Sequence, residues 1–294
     1  MLEEYLKECK LCPFECKVNR YENKLGRCKA GKNVKIALAS LHMFEEPCIS
    51  GKEGSGTVFF SGCNFRCKFC QNYKVSQECE GKEITIEELS DIFIDLQNKN
   101  ANNINLVTGF MYVPHIIEAI KIARKKGLHI PVVYNSSGYE KIETIKMLDG
   151  YVDIFLPDLK CYYDEIAKDL SGVTNYFSTA TKCIKQMVDQ VGEIKYDDRG
   201  MMTKGVIVRH LVLPNHIRNS KMILKWLKEN LDKKVLISVM AQYFPSYKAL
   251  ETDDVNRKLN EEEFNDIKEY VESLEIDGFM QDLEDNEEQY VPKF

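Results

Sequence analysis

Six short, unbroken apolar runs recur along the chain, each followed by a segment with helical spacing, and this alternation limits the fold more than any other feature. The runs are Thr57-Val-Phe-Phe60, Ile104-Asn-Leu-Val-Thr108, Ile130-Pro-Val-Val-Tyr134, Val152-Asp-Ile-Phe-Leu156, Gly205 to Leu213 and Val235 to Met240. A strand covered on both faces reads as a continuous apolar run, the mark of a parallel sheet between helices. Helix signals fill the gaps. Thr85 and Glu88 form a capping-box pattern for a helix through about Lys99, and Pro114 and Gly127 bracket the next. Further helices are expected from about Glu140 to Leu148, through about Gln190 and around Trp226. Asn260 with Glu263 opens the last. The pattern predicts an α/β chain folded as a partial (β/α)6 TIM-type barrel, with a doubly wound open sheet as the alternative. Either places ligands at the C-terminal ends of the strands.

Directly after the first run comes Ser61-Gly-Cys-Asn-Phe-Arg-Cys-Lys-Phe-Cys70. Cys63, Cys67 and Cys70, on a loop leaving a strand, can ligate three irons of a cubane 4Fe–4S cluster and leave the fourth iron open. A zinc site, a redox dithiol or three structural cysteines are the other readings. A thioredoxin-like motif needs only Cys-x2-Cys opening a helix, which leaves Cys63 unexplained.

A second group, Cys9, Cys12, Cys16 and Cys28, precedes the first, with Gly26 allowing a tight turn. Four thiolates in so short a span make a closed site, either tetrahedral zinc or an auxiliary iron–sulfur cluster. Zinc would staple a segment too small for its own core; a cluster could carry electrons; free thiols are the third reading. Val34 to Met43 partly alternates like a strand, and Glu45 to Gly56 reads as a turn-rich connector. His42, Glu45, Glu46 and Cys48 could reach a site or simply pack. The expected organisation is a Cys-rich metal-binding module over 1–33, a strand and connector over 34–56, the barrel over 57–282 and a solvated acidic tail over 283–294.

A net charge of −6 gives no global basic field for nucleic acid or anionic membrane. Lys121 to Lys126 and Asp232-Lys-Lys234 read as solvated helix ends. The N-terminus has neither the charged nor the apolar region of a signal peptide, and no run approaches bilayer length. The expected location is the cytoplasm, where eleven cysteines read as metal ligands rather than disulfides.

The run from Cys63 to Cys70, with Phe69 before its third cysteine, resembles the signature of the radical S-adenosylmethionine (SAM) superfamily. From Cys9 to about Ser76 the chain resembles a branch of pyruvate formate-lyase activating enzyme-like proteins. The four-Cys start, the connector His42-x2-Glu-Glu-Pro47 and the lead Gly54-Ser-Gly-Thr57 carry that likeness. The resemblance implies SAM held on the open iron by its amino and carboxylate groups. It implies reductive cleavage to methionine and a 5′-deoxyadenosyl radical, which abstracts hydrogen from substrate. It places Phe69 near the adenine and Thr108-Gly109 near the SAM amino group, although the acidic residue of the related Gly-Gly-Glu-like turn is missing here. Leu156-Pro-Asp-Leu-Lys160 is similar to the Asp-Leu-Lys motif of glycyl-radical activating enzymes, making Asp158 and Lys160 SAM contacts.

Position after a strand adds Asn135, Ser137 and Gln242, with Tyr243 beside it. His210 joins them from the charged pair Arg209-His210, which needs a partner inside an apolar run. Cys161 could be an extra ligand or hydrogen donor, though packing accounts for it; Cys79 and Cys183 read as structural. The implied partners are an electron donor such as flavodoxin or ferredoxin, and a glycyl-radical enzyme as substrate. The alternatives are a radical SAM enzyme acting on a small metabolite or peptide, and a non-catalytic metal-binding regulatory protein.

Overall fold

The computed structural model describes residues 2–281, so the acidic tail expected over 283–294 lies outside the described residues. Among the described residues ten strands make one sheet: β1 (Val34–His42), β2 (Ser55–Phe60), β3 (Lys82–Ile84), β4 (Ile104–Val107), β5 (Val132–Ser136), β6 (Ile154–Pro157), β7 (Lys195–Tyr196), β8 (Met202–Leu211), β9 (Leu236–Met240) and β10 (Gly278–Met280). The six expected runs are β2, β4, β5, β6, β8 and β9, with ends shifted by a few residues. Each pairs in parallel with the next along the chain. A doubly wound sheet reverses its strand order at a switch point, and no reversal occurs here. The architecture is therefore a partial barrel, left open between its edge strands β3 and β10.

The short strands β3, β7 and β10 escaped the sequence reading because two or three residues carry no recognisable period. β10 adds a seventh parallel strand beside β9, and β1 and β3 extend the other edge in antiparallel fashion. Both capping boxes form. Thr85 Oγ1 accepts from the Glu88 N–H at 3.1 Å while Glu88 Oε2 accepts from the Thr85 N–H at 2.7 Å, opening the helix Ile86–Asn98. Asn260 and Glu263 do the same for Glu261–Leu274.

Strand alternation divides the apolar residues between two cores. The large one joins the sheet's outer face to the helices. The smaller one, of Val133, Ile154, Leu156, Met202 and Ile207, fills the barrel interior. Cys48 and Ile49 complete that inner core, and they come from the connector, which is a plug rather than a surface loop. Its single helical turn, Pro47–Ser50, enters the N-terminal end of the barrel. There the side chains of Asn102 and Asn103, just before β4, donate to the Ser50 and Ile49 carbonyls at 2.6 and 2.8 Å. Burying an Ile completely, as at Ile49, contributes roughly 1.5–3 kcal/mol.

Candidate functional site

Above the plug, at the C-terminal ends of the strands, lies a cavity of about 290 Å³. Cys63, Cys67 and Cys70 line one side of it. The loop that carries them is clamped by its own backbone. Gly62 sits at φ +98, with the Cys28 carbonyl so close that a Cβ would lie 2.3 Å from its oxygen. The N–H groups of Arg66 and Lys68 donate at 2.8 Å to the Ser171 and Leu170 carbonyls, which end the helix Asp164–Ser171. Polar groups reach the sulfurs: the Phe65 N–H at 3.4 Å from Cys63, Ser171 Oγ at 3.4 Å from Cys67 and Ser76 Oγ at 3.1 Å from Cys70. Burial pushes all three thiols up, Cys67 to about 11, and the Lys160 ammonium works against this. A cationic metal centre would reverse that balance.

Opposite the cysteines stands a network of buried charge. Lys160 Nζ lies 2.7 Å from Asp158 Oδ2, and Arg209 Nε lies 3.1 Å from Asp158 Oδ1. The other guanidinium nitrogens reach Glu45 Oε2 at 3.2 Å and Asn135 Oδ1 at 2.6 Å, and Asn105 Nδ2 donates to Glu45 Oε1 at 3.1 Å. Burial works to raise the Asp158 carboxyl, but Lys160 and Arg209 together hold it below its ordinary value. Burial raises Glu45 and Glu46, with Arg209 opposing. The Tyr176 hydroxyl ties the ends of β5 and β6 together: it lies 2.9 Å from the Ser137 and Asp158 carbonyls and accepts the Lys160 N–H at 2.9 Å.

Of the residues expected at the site, Phe69, Thr108, Asn135, Ser137, Asp158, Lys160 and Gln242 line this cavity with the three cysteines. Phe69 packs edge-on to Tyr243. Thr108 holds φ +59, a strained conformation for a β-branched residue of the sort that clusters at functional sites. Two of the expected residues are not in its lining. At Gly109, Ile116 and Phe60 stand where a Cβ would lie. His210 is buried on the outer face of β8, with Nδ1 2.7 Å from the Leu159 carbonyl and Nε2 2.8 Å from Ser220 Oγ. The alternation of β8 that turns Arg209 inward turns His210 away.

Arg209 and Phe44 line the cavity without having been assigned to it, and His42, expected either to reach a site or to pack, lines it too. The signal for Arg209 was its parity with Ile207 and Leu211. Glu45 also lines the cavity, while Glu46 and Cys48 are buried beneath it. Cys161 and Cys183 are buried in the large core, and Cys79 is half-buried.

The four N-terminal cysteines line a separate cavity beside Phe110. Among the described residues, no three His, Cys, Asp or Glu side chains are already grouped so as to hold a metal ion. Asn72 Oδ1, on the wall of the cavity lined by Cys63, Cys67 and Cys70, is buried without a hydrogen-bond partner. The residues present therefore fit a cluster bearing a polar ligand.

Three thiols at the mouth of a singly wound partial barrel face a carboxylate and two cations. The model of the radical SAM superfamily matches residues 57–216, more than half of the chain, and the chain belongs to that superfamily. An uncharacterized protein of Methanocaldococcus jannaschii is 35% identical over 279 residues, covering 92% of this chain and 76% of that protein. The pyruvate formate-lyase-activating enzyme of Clostridium pasteurianum is 25% identical over 143 residues, 47% of this chain and 59% of that enzyme. A radical SAM methyltransferase from Sphaerobacter thermophilus shares the fold, with TM-score 0.53 and 14% identity over 77% of this chain and 66% of that one. No helix among the described residues is long and apolar enough to cross a membrane.

Proposed function

We propose that the chain is a radical SAM oxidoreductase that takes a hydrogen atom from a segment of a partner protein, as an activator of a glycyl-radical enzyme. The observation that carries the radical SAM reading is the convergence of Cys63, Cys67 and Cys70 on one cavity with Asp158, Lys160 and Arg209. The three thiolates would hold a 4Fe–4S cluster. When bound, that cluster supplies the electron that cleaves SAM to methionine and the 5′-deoxyadenosyl radical.

The chain's own groups bind and orient. Lys160 offers a point charge to the SAM carboxylate, and Asp158 accepts from ribose hydroxyls or the ammonium group. Asn135, Ser137, Thr108 and Gln242 supply polar contacts, and Phe69 an apolar wall for the adenine. The plug keeps water from entering from below, which protects a reactive radical.

The size of the cavity supports the partner reading. Sites for drug-sized ligands run to roughly 300–1,000 Å³, and about 290 Å³ here must admit both cluster and SAM. Substrate is left to approach from the rim, which suits a chain segment presented by a larger molecule. The likeness to a pyruvate formate-lyase-activating enzyme supports the same substrate class. The electron would come from flavodoxin or ferredoxin in the cytoplasm, and Cys9, Cys12, Cys16 and Cys28 would form a second metal site in a module spanning 1–33.

The test is anaerobic. Reconstituted protein with reductant should convert SAM to 5′-deoxyadenosine, and Cys67→Ala should not. A glycyl-radical signal by electron paramagnetic resonance in a candidate partner would support the activator reading. SAM cleavage without that signal across the candidate partners encoded with it would sink it.

A further inference from the structure

The register of β1 on β2 gives the main cavity its depth. β1 runs antiparallel to β2, so His42, its last residue, pairs with Ser55 at the start of β2, while Cys63 follows the end of β2 at Phe60. At roughly 3.3 Å per residue, the steps from Ser55 to Phe60 separate those two levels by about 16 Å. His42 and the three cysteines nevertheless line one cavity. It therefore has a cysteine end and, toward the plug, a histidine end.

The histidine end offers hydrogen bonds but no spare charge. The His42 ring meets the Phe44 ring edge-on, centroids 5.8 Å apart, and among the described residues its nitrogens have no hydrogen-bond partner. Its backbone is held in place: Ser50 Oγ donates to the His42 carbonyl at 3.2 Å and accepts the Glu45 N–H at 2.9 Å. The charged side chains of the lining are already paired, Lys160 with Asp158, Arg209 with Asp158 and Glu45, and Glu45 with Asn105 as well. A charged group brought to His42 would find every counter-charge taken, and burying it unpaired is costly.

Burial and the Arg209 guanidinium hold His42 below its ordinary 6.5. A neutral imidazole carries one N–H donor and one acceptor nitrogen. A peptide unit carries the complementary carbonyl and N–H.

We infer that His42 contacts the substrate, holding an uncharged peptide amide at the end of the cavity away from the cysteines, and so selects a backbone segment over a charged small metabolite. This rests on the partner-protein reading above and adds to it the group recognised and the residue that recognises it.

Two probes test it: triglycine capped as its acetyl amide, which is uncharged, and free triglycine, a zwitterion. With reconstituted protein and reductant, the capped probe should accelerate 5′-deoxyadenosine formation from SAM, and free triglycine should not. His42→Ala should raise the half-saturating concentration of the capped probe about tenfold, as the loss of a pair of hydrogen bonds would. The maximal rate and half-saturation by SAM should hold, and His42→Gln, with its own donor and acceptor, should recover much of the loss. Equal action of the two probes, or an unmoved half-saturation in His42→Ala, overturns the inference. The comparison of probes uses the wild type alone and stands whatever the variant does to folding. Saturation-transfer NMR of the capped probe on reconstituted protein needs no turnover. Its signal should appear with the wild type and fade in His42→Ala; no signal with the wild type overturns the inference. With that signal present and no 5′-deoxyadenosine formed, the SAM reading alone would fall.

Discussion

Arg209 and Asp158 meet across the parallel pair β8 and β6, Nε to Oδ1 at 3.1 Å, and the same guanidinium reaches Asn135 and Glu45. Its charge opposes the burial of Glu45 and Glu46, and it shares Asp158 with Lys160. Arg209→Met should therefore cost about 3–5 kcal/mol, the penalty for stranding buried charge. Urea denaturation of the metal-free protein measures it; a loss within about 0.5 kcal/mol would show that the carboxylates do not need this partner. Arg209→Lys keeps the charge and loses the fork, so an intermediate loss is expected.

His210 should behave oppositely to its neighbour. His210→Ala leaves the Leu159 carbonyl and Ser220 hydroxyl without partners, at about 1–3 kcal/mol for each buried group left unsatisfied. SAM affinity, measured by calorimetry on reconstituted protein, should stay the same. A tenfold weakening would return His210 to the ligand site.

Two buried groups give stability a pH dependence of opposite sign. Burial pushes Glu140 up to about 8, with Ser136 opposing. The folded chain then holds a proton that the unfolded chain releases above its ordinary 4.5, so this stability is lost as pH rises toward 8. Burial holds His210 down at about 4 against an ordinary 6.5. Its contribution is lost as pH falls from 6.5 through 4. Glu140→Gln should flatten the alkaline limb of a plot of Tm against pH and leave the acid limb alone; an unchanged alkaline limb would mean that Glu140 titrates normally.

Gly62→Ala places a methyl 2.3 Å from the Cys28 carbonyl oxygen at φ +98. A side chain in that conformation costs about 1–3 kcal/mol, and the clash bears on the loop that begins at Cys63. Iron bound after reconstitution should drop several-fold; wild-type iron content would show that the loop relaxes freely.

Much of this was legible from the chain alone. Continuous apolar runs such as Val206 to Val208 gave away the parallel sheet, and Thr85 with Glu88 and Asn260 with Glu263 marked two helix starts. Cys63, Cys67 and Cys70 announced their cavity by spacing. What escaped depended on facing. Arg209 and His210 are equally polar, and only the pleat tells which one points inward. Gly109 follows Thr108 into the same turn, yet its lack of a side chain serves packing against Ile116. The plug was hidden because Gly and Glu around Pro47 look like a solvent-exposed turn; its burial depends on Asn102 and Asn103, about fifty residues along the chain.

That plug ties two dimensions of the molecule together. Ile49 stops one end of the barrel while Glu45 stands in the wall of the cavity at the other, and both hang on the tether between β1 and β2. Inserting or deleting one residue there would unseat the stopper or withdraw the acid from Arg209. The depth of the pocket is set by a residue count, as a spacer sets a gap, and side-chain size can adjust it only at the margin.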